Sequence, residues 1–315
     1  MRTLIIPCAG RKTINGAPRW QAIMPNGNIV LSECIKNVNY QSFDRIIVTI
    51  LADDEREYDA TKLIKKATAS FGNVEILVLK EKTEGPAQTV FESITQKNIS
   101  GQIAIKDIGT IISEGDNPNP NFIFGIDLLK YESDLQNVRN KSFITVNEQN
   151  DVMDIIEKTV KSGIISLGYY GFEDANDFQW AFRSIRKEEK SLNGIYISHI
   201  IDYLIAVKQR VFTYVEAPKY LSIETDKDYS KIVRDHFTYI LDLAHLNEDS
   251  FPLIQQAMAK GCSFIFLCPK HLLFENEAKI KKYGINSDKI TCYSGNIDPK
   301  MIASSEELKD LFLSL

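Results

Sequence analysis

Leu4-Ile5-Ile6-Pro7-Cys8-Ala9-Gly10-Arg11-Lys12 is a short apolar run that passes into small residues and then into positive charge. The run is long enough for a buried strand and too short for a helix. The small residues after it permit a tight turn, and Gly10 lets a ligand approach the backbone. Arg11 and Lys12 then set two cations beside exposed N–H groups. Amide donors and basic side chains together are the chemistry of an anion or phosphate site. An ordinary turn with solvated charges would have the same sequence.

Outward from this turn, short apolar runs alternate with amphipathic stretches. Helical spacing covers Val30–Val38, Tyr58–Phe71 and Thr89–Ile94. Strands are expected at Arg45–Ile50, Val74–Leu79 and Ile103–Ile105. This βαβ rhythm predicts a Rossmann-like α/β fold, a mostly parallel sheet with helices on both faces. The turn-rich segment 114–121 follows. Further strands are expected at Phe143–Val146, Val152–Glu157, Ser166–Phe172 and Val211–Val215, with helices at Ala175–Ile185 and Ile197–Val207. A second, shorter βαβ pattern begins near His236 and ends with a helix at Ser305–Leu313. The expected division is therefore a domain over 1–235 and a small α/β module over 236–315.

The 315 residues carry a net charge of -5, with 44% hydrophobic residues, which suits an ordinary globular core. No basic face points to nucleic acid. The opening apolar run is too short for a secretory signal or a membrane span, so membrane insertion is not expected and a cytoplasmic location is. Five dispersed cysteines without a CxxC spacing read as free thiols rather than zinc ligands. The four histidines show no ligand or triad spacing.

Two further segments carry chemistry. Thr83-Glu84-Gly85-Pro86-Ala87-Gln88-Thr89 lies between a strand and a helix. Gly85 permits close approach, and Gln88 can read a base edge with a paired donor and acceptor. Asp154-Ile155-Ile156-Glu157-Lys158 ends a strand in a carboxylate and an ammonium, and the Gly168 turn follows it. That pair suits a hydroxylated, phosphorylated substrate, or it is a solvated ion pair.

In this order and spacing the segments, together with Pro18-Arg19-Trp20 and Gly194-Ile195-Tyr196-Ile197-Ser198, resemble the sugar-1-phosphate nucleotidyltransferase family from Met1 to about Ile232. The resemblance implies transfer of a nucleotidyl group from a nucleoside triphosphate to a phosphorylated small molecule, a sugar phosphate above all, with release of pyrophosphate. It implies Ala9, Gly10, Gly85 and Gln88 at the nucleotide, Glu157, Lys158 and Gly168 at the acceptor, and Arg11, Arg19 and Asp107 in catalysis. The Lys106-Asp107 variant resembles the branch that supplies surface-polysaccharide and capsule precursors. A homo-oligomer is compatible with all of this.

The family holds Mg²⁺ on two aspartates, which fall here on Gly109 and near Ser222. Asp107 with Glu224 or Asp226 is the expected substitute set. Arg19 stands where the family has its phosphate-binding lysine. The alternative expectation is a nucleotidyltransferase fold that has lost catalysis and binds or regulates a partner. An unrelated α/β enzyme is the third reading. The segment Tyr239-Ile240-Leu241-Asp242-Leu243-Ala244-His245 faintly resembles the nucleophile strand of haloacid dehalogenase-like phosphatases, with Ala244 in place of the second aspartate.

Overall fold

The computed structural model describes residues 1–10, 13–14, 16–113, 119–130, 138–188, 194–236, 238–244, 246–259, 263–284 and 290–293. The chain divides into two compact units, Met1–Ile23 with Asn28–Ile223, and Met24–Gly27 with Glu224–Leu315. This division falls earlier than the sequence places it. The helix that starts at Asp226 belongs to the second unit.

In the first unit β1 (Arg2–Pro7) is followed by a small hairpin of β2 (Thr13–Ile14) and β3 (Ala17–Pro18), then α1 (Val30–Lys36) and β4 (Arg45–Leu51). Next come α2 (Ala52–Tyr58), α3 (Ala60–Ala67), β5 (Val74–Leu79), α4 (Pro86–Gln96) and β6 (Gln102–Lys106). The unit continues with β7 (Thr110–Ile112), β8 (Phe122–Asp127), β9 (Ser142–Val146), β10 (Val152–Glu157), β11 (Ile164–Phe172), α5 (Ala175–Glu188), α6 (Ile197–Lys208), β12 (Thr213–Glu216) and β13 (Tyr220–Ser222). The main sheet runs β10-β9-β11-β6-β1-β4-β5, with β8 branching off β11 and carrying β12. Strands β6, β1, β4 and β5 are parallel, whereas β11 joins β6 antiparallel.

Alternation along the strands explains why their runs are apolar on both sides. Ile5 and Ile47 point into one buried cluster with Ala87, Val90, Phe178 and Ile200. Their neighbours Leu4, Ile6, Ile46 and Val48 point into another, with Trp20, Leu31 and Phe124. A parallel strand covered on both faces must be apolar at every position.

The helix expected at Tyr58–Phe71 is the shorter Ala60–Ala67, and an unexpected helix, Ala52–Tyr58, precedes it; the two meet at Asp59, a left-handed residue with φ 49°. Aspartate tolerates that conformation better than most residues. The first of the two carries Asp53, Asp54 and Glu55 in its opening turn, where the helix dipole favours negative charge.

The second unit holds α7 (Asp226–His236), β14 (Thr238–Asp242), α8 (Ser250–Ala259), β15 (Ser263–Pro269), α9 (Leu273–Lys282) and β16 (Ile290–Tyr293). Its three strands are parallel in the order β14-β15-β16. Leu241, Phe251, Ile254, Phe264, Phe266 and Ile280 form its core. The helix expected at Ser305–Leu313 lies outside the described residues. Among the described residues no helix is long and apolar enough to cross a membrane.

Candidate functional site

The registers Ile5↔Ile105, Pro7↔Thr49 and Leu51↔Leu79 bring the C-terminal ends of β6, β1, β4 and β5 to one edge of the sheet. Open α/β sheets bind ligands at that edge. The turn after β1 is anchored there, because the Cys8 N–H donates to the Thr49 carbonyl at 2.7 Å. Ala9 is buried in the same cluster as Ala87, while Gly10 is exposed. A Cβ on Gly10 would meet nothing within 4 Å. Arg11 lies outside the described residues. Arg19 sits in a buried 3-10 turn, Arg19–Gln21. Burial pushes the nearby Cys34 thiol up to about 11, although the charge of Lys106 and, less, that of Arg19 draw it down.

The end of β6 meets an irregularity in β11. Opposite β8, β11 shifts register between Ser166 and Tyr169, so Leu167 and Gly168 bulge, with Gly168 at φ 73°. A bulge re-aims the chain locally, and here it aims two carbonyls at the turn after β6. The Gly168 carbonyl accepts the Asp107 N–H at 2.8 Å, and the Leu167 carbonyl accepts the Thr110 hydroxyl at 2.5 Å. Asp107 is therefore part of a turn rather than of an extended strand. Its Oδ1 accepts the Gly109 N–H at 2.8 Å. Beneath it the fully buried Lys106 donates Nζ to the carbonyls of Asp107 and Thr110, both at 2.5 Å.

A second junction forms around Gly85. A Cβ on Gly85 would stand 2.8 Å from the Ile195 carbonyl oxygen, and one on Gly194 would stand 2.4 Å from that of Glu84. The two backbones thus lie directly against each other, and the Ala87 N–H donates to the Ile195 carbonyl at 3.2 Å. Gln88 spends its acceptor on the loop itself, taking the Glu84 N–H at 2.8 Å. Pro86 is set at the start of α4, where its missing N–H costs nothing.

The segment after Gly194 carries the contact onward. Tyr196 Oη accepts from Lys158 Nζ at 2.5 Å, and the ammonium also lies 4.1 Å from the Tyr196 ring centre. Glu157 Oε2 accepts the hydroxyls of Ser142 at 2.5 Å and Ser198 at 2.8 Å. Lys158 itself is left-handed, with φ 56°. Ser166 donates to the Tyr170 hydroxyl at 2.9 Å. Burial, then the charge of Asp107, pushes the Tyr170 phenol well up, so it stays neutral. Ser142 opens β9, which pairs with β11 at Phe143↔Ile165, so the Glu157 pair and the β11 bulge lie on the strands either side of β9.

The sequence singled out Gly85, Glu157, Lys158, Gly168 and Asp107; the first three lie along one set of contacts and the last two along another. It did not single out Lys106, Thr110, Ser142, Ser166, Tyr170, Tyr196 or Ser198 as site residues. A signal for Lys106 did exist: a lysine ending an otherwise apolar strand has to find acceptors inside the protein.

A Mg²⁺ ion needs several oxygen ligands at about 2.0–2.1 Å, including carboxylates. Asp107 has one oxygen engaged by Gly109 and the Lys106 ammonium 4.0 Å from that same oxygen. Glu224 and Asp226 belong to the second unit, at the start of α7, where Asp228 Oδ2 accepts the N–H groups of Glu224 and Thr225. Among the described residues no group of three His, Cys, Asp or Glu could hold a metal ion. Within the first unit the described residues do not fit a Mg²⁺ site.

No family model matches the sequence, and no curated protein is similar to it. Solved structures are similar. A nucleoside-diphosphate-sugar pyrophosphorylase from Vibrio cholerae RC9 has 18% identity and a TM-score of 0.62, covering 73% of this chain and 99% of that one. The inositol-1-phosphate CTP transferase from T. maritima has 11% identity and a TM-score of 0.56, covering 72% and 90%. A UDP-glucose pyrophosphorylase complexed with UDP-glucose has 12% identity and a TM-score of 0.54, covering 74% and 97%. Over about three quarters of its length, 72–74%, the chain shares the α/β fold of these solved structures.

Proposed function

We propose that the first unit binds a nucleoside triphosphate and a phosphorylated sugar at the C-terminal edge of its parallel strands and joins them, releasing pyrophosphate. The observation that carries this reading is the backbone junction between Gly85 and Ile195. Through Tyr196 and Ser198 it ties the expected nucleobase loop to the Glu157–Lys158 pair. Similarity of fold to enzymes that handle nucleotide sugars supports it.

In this reading the turn at Ala9 and Gly10 faces the phosphates, and the open space around Gly10 lets an oxygen approach the backbone. Lys158 holds the acceptor phosphate and Glu157 accepts from its hydroxyls. An acceptor phosphate oxygen forms a bond to the α-phosphorus while the bond to pyrophosphate breaks. Positioning and fixed charge supply such catalysis. A role in surface-polysaccharide precursor synthesis, in the cytoplasm, would follow from a sugar phosphate acceptor.

A second reading is favoured by the engagement of Asp107 in its own turn. It is a nucleotide-binding domain without catalysis that acts on a partner. Pyrophosphate release distinguishes the two. Release that requires both one of the four common nucleoside triphosphates and a sugar 1-phosphate supports transfer. Nucleotide binding with no release across a panel of sugar 1-phosphates supports the second reading.

A further inference from the structure

The Lys106 ammonium is the least expected charge in the first unit. It has no exposed surface. Its donors are met by neutral oxygens: the carbonyls of Asp107 and Thr110, and Thr110 Oγ1 at 3.4 Å. The Asp107 carboxylate forms a long ion pair with it, with Oδ1 4.0 Å away and the side chain about half exposed. A buried cation bonded to carbonyls and only loosely paired with one half-exposed carboxylate is partly compensated, and its field is weakly screened in so apolar a place. It also sits at a specific address. β1 and β6 are adjacent and parallel, so the Lys106–Thr110 turn emerges beside the Cys8-Ala9-Gly10 turn. Asp107 and Cys8 are close enough for the carboxylate to push up the buried thiol, after burial and Cys34 and Asp54.

A divalent cation on Asp107 would stand within a few ångströms of this ammonium and be repelled by it. An anion beside the same turn would be attracted. Resting on the nucleotide reading above, we infer that this corner holds the phosphates of its nucleotide without a divalent cation, with the buried Lys106 ammonium as the fixed positive charge. Lys106 is a positioning and electrostatic residue here. It closes the Asp107–Thr110 turn from below and biases the corner toward anions. Asp107 then opposes phosphate binding rather than promoting it through a metal.

The two roles for Asp107 predict opposite signs. The full chain is titrated calorimetrically with ATP, CTP, GTP and UTP, once in EDTA and once in excess Mg²⁺. For the nucleotide that binds, the Kd is expected to differ less than threefold between the buffers. Asp107→Asn keeps an oxygen for the Gly109 N–H, and it is expected to bind severalfold more tightly in both buffers. Threefold or greater dependence on Mg²⁺, or an Asp107→Asn variant no tighter than the parent chain, overturns the metal-free corner and leaves the nucleotide reading intact. Absence of binding for all four nucleotides in both buffers overturns both.

Discussion

The Asp107 carboxylate rests on Gly168 so closely that a Cβ built on that glycine would stand 2.1 Å from Oδ2. The contact exists because the β11 bulge turns the Gly168 carbonyl toward the Asp107 N–H, with Gly168 held at φ 73°. Any L side chain there is strained twice, by its own backbone and by the carboxylate it displaces.

Gly168→Ala is therefore expected to destabilise the first unit by about 1–3 kcal/mol. Gly10→Ala is the control: it has no positive φ and no neighbour within 4 Å, and should change stability by less than about 0.5 kcal/mol. Urea unfolding of the two variants checks both. Equal stabilities would mean that the bulge is not the constrained element.

Gly194→Ala should be more damaging than Gly168→Ala. Its φ is 90°, and the added Cβ meets the Glu84 backbone oxygen at 2.4 Å, which no rotamer change relieves. A loss of about 2–4 kcal/mol is expected, together with weakened nucleotide binding as the Gly85 loop is pushed away. Unfolding curves and a nucleotide titration on the same sample give both numbers. A variant as stable as the parent would remove the case for a fixed junction.

Lys158→Ala takes one ammonium from the acceptor side. Binding of a sugar phosphate should weaken about tenfold or more, the size of a lost charge-assisted hydrogen bond. Nucleotide affinity should stay within about twofold. Tyr196→Phe removes the oxygen that Lys158 Nζ bonds and keeps the ring beneath it, so a milder loss on the acceptor side is expected. Matching losses for nucleotide and acceptor in Lys158→Ala would count against the division of the site.

Alkaline pH should unfold the first unit through its buried thiols. Burial holds Cys34 at about 11 rather than 9.0, and holds Cys8 well up too. A thiol that ionises more easily in the unfolded chain leaves stability unchanged below the unfolded value. It takes stability away as pH rises from about 9 toward the folded value. Two units correspond to about 3 kcal/mol for Cys34 alone. Cys34→Ala should flatten the pH 9–11 limb of the stability profile, whatever it does to the absolute value. A limb equally steep in the variant would contradict this assignment.

Most of the fold could be read from apolar periodicity. The runs at Leu4, Arg45 and Ile103 are buried on both faces, so every residue reports the same state. Where one face is solvated or the apolar residues are few, the signal fades. Asp226–His236 is a helix whose sequence is almost wholly polar, and it was not expected. Phe122–Asp127 is a buried strand that the turn-rich segment before it obscured. The break at Asp59 is one residue's φ, which periodicity does not record.

The sequence alone determined which residue types are available for chemistry and that the strand ends would gather them, because parallel strands joined by helices place every following turn at one edge. Only the tertiary structure decided what those residues do there. Asp107 was legible as a carboxylate near the expected place. Its engagement with Gly109 depends on Leu167 and Gly168, far along the chain, bulging toward it. Lys106 was legible as a cation at a strand end. That it is buried and held by neutral carbonyls follows from the closing of a turn against β11. Local sequence sets propensity and charge. A charge's partners, and hence its sign of effect on a ligand, are fixed by chain segments that meet only after folding.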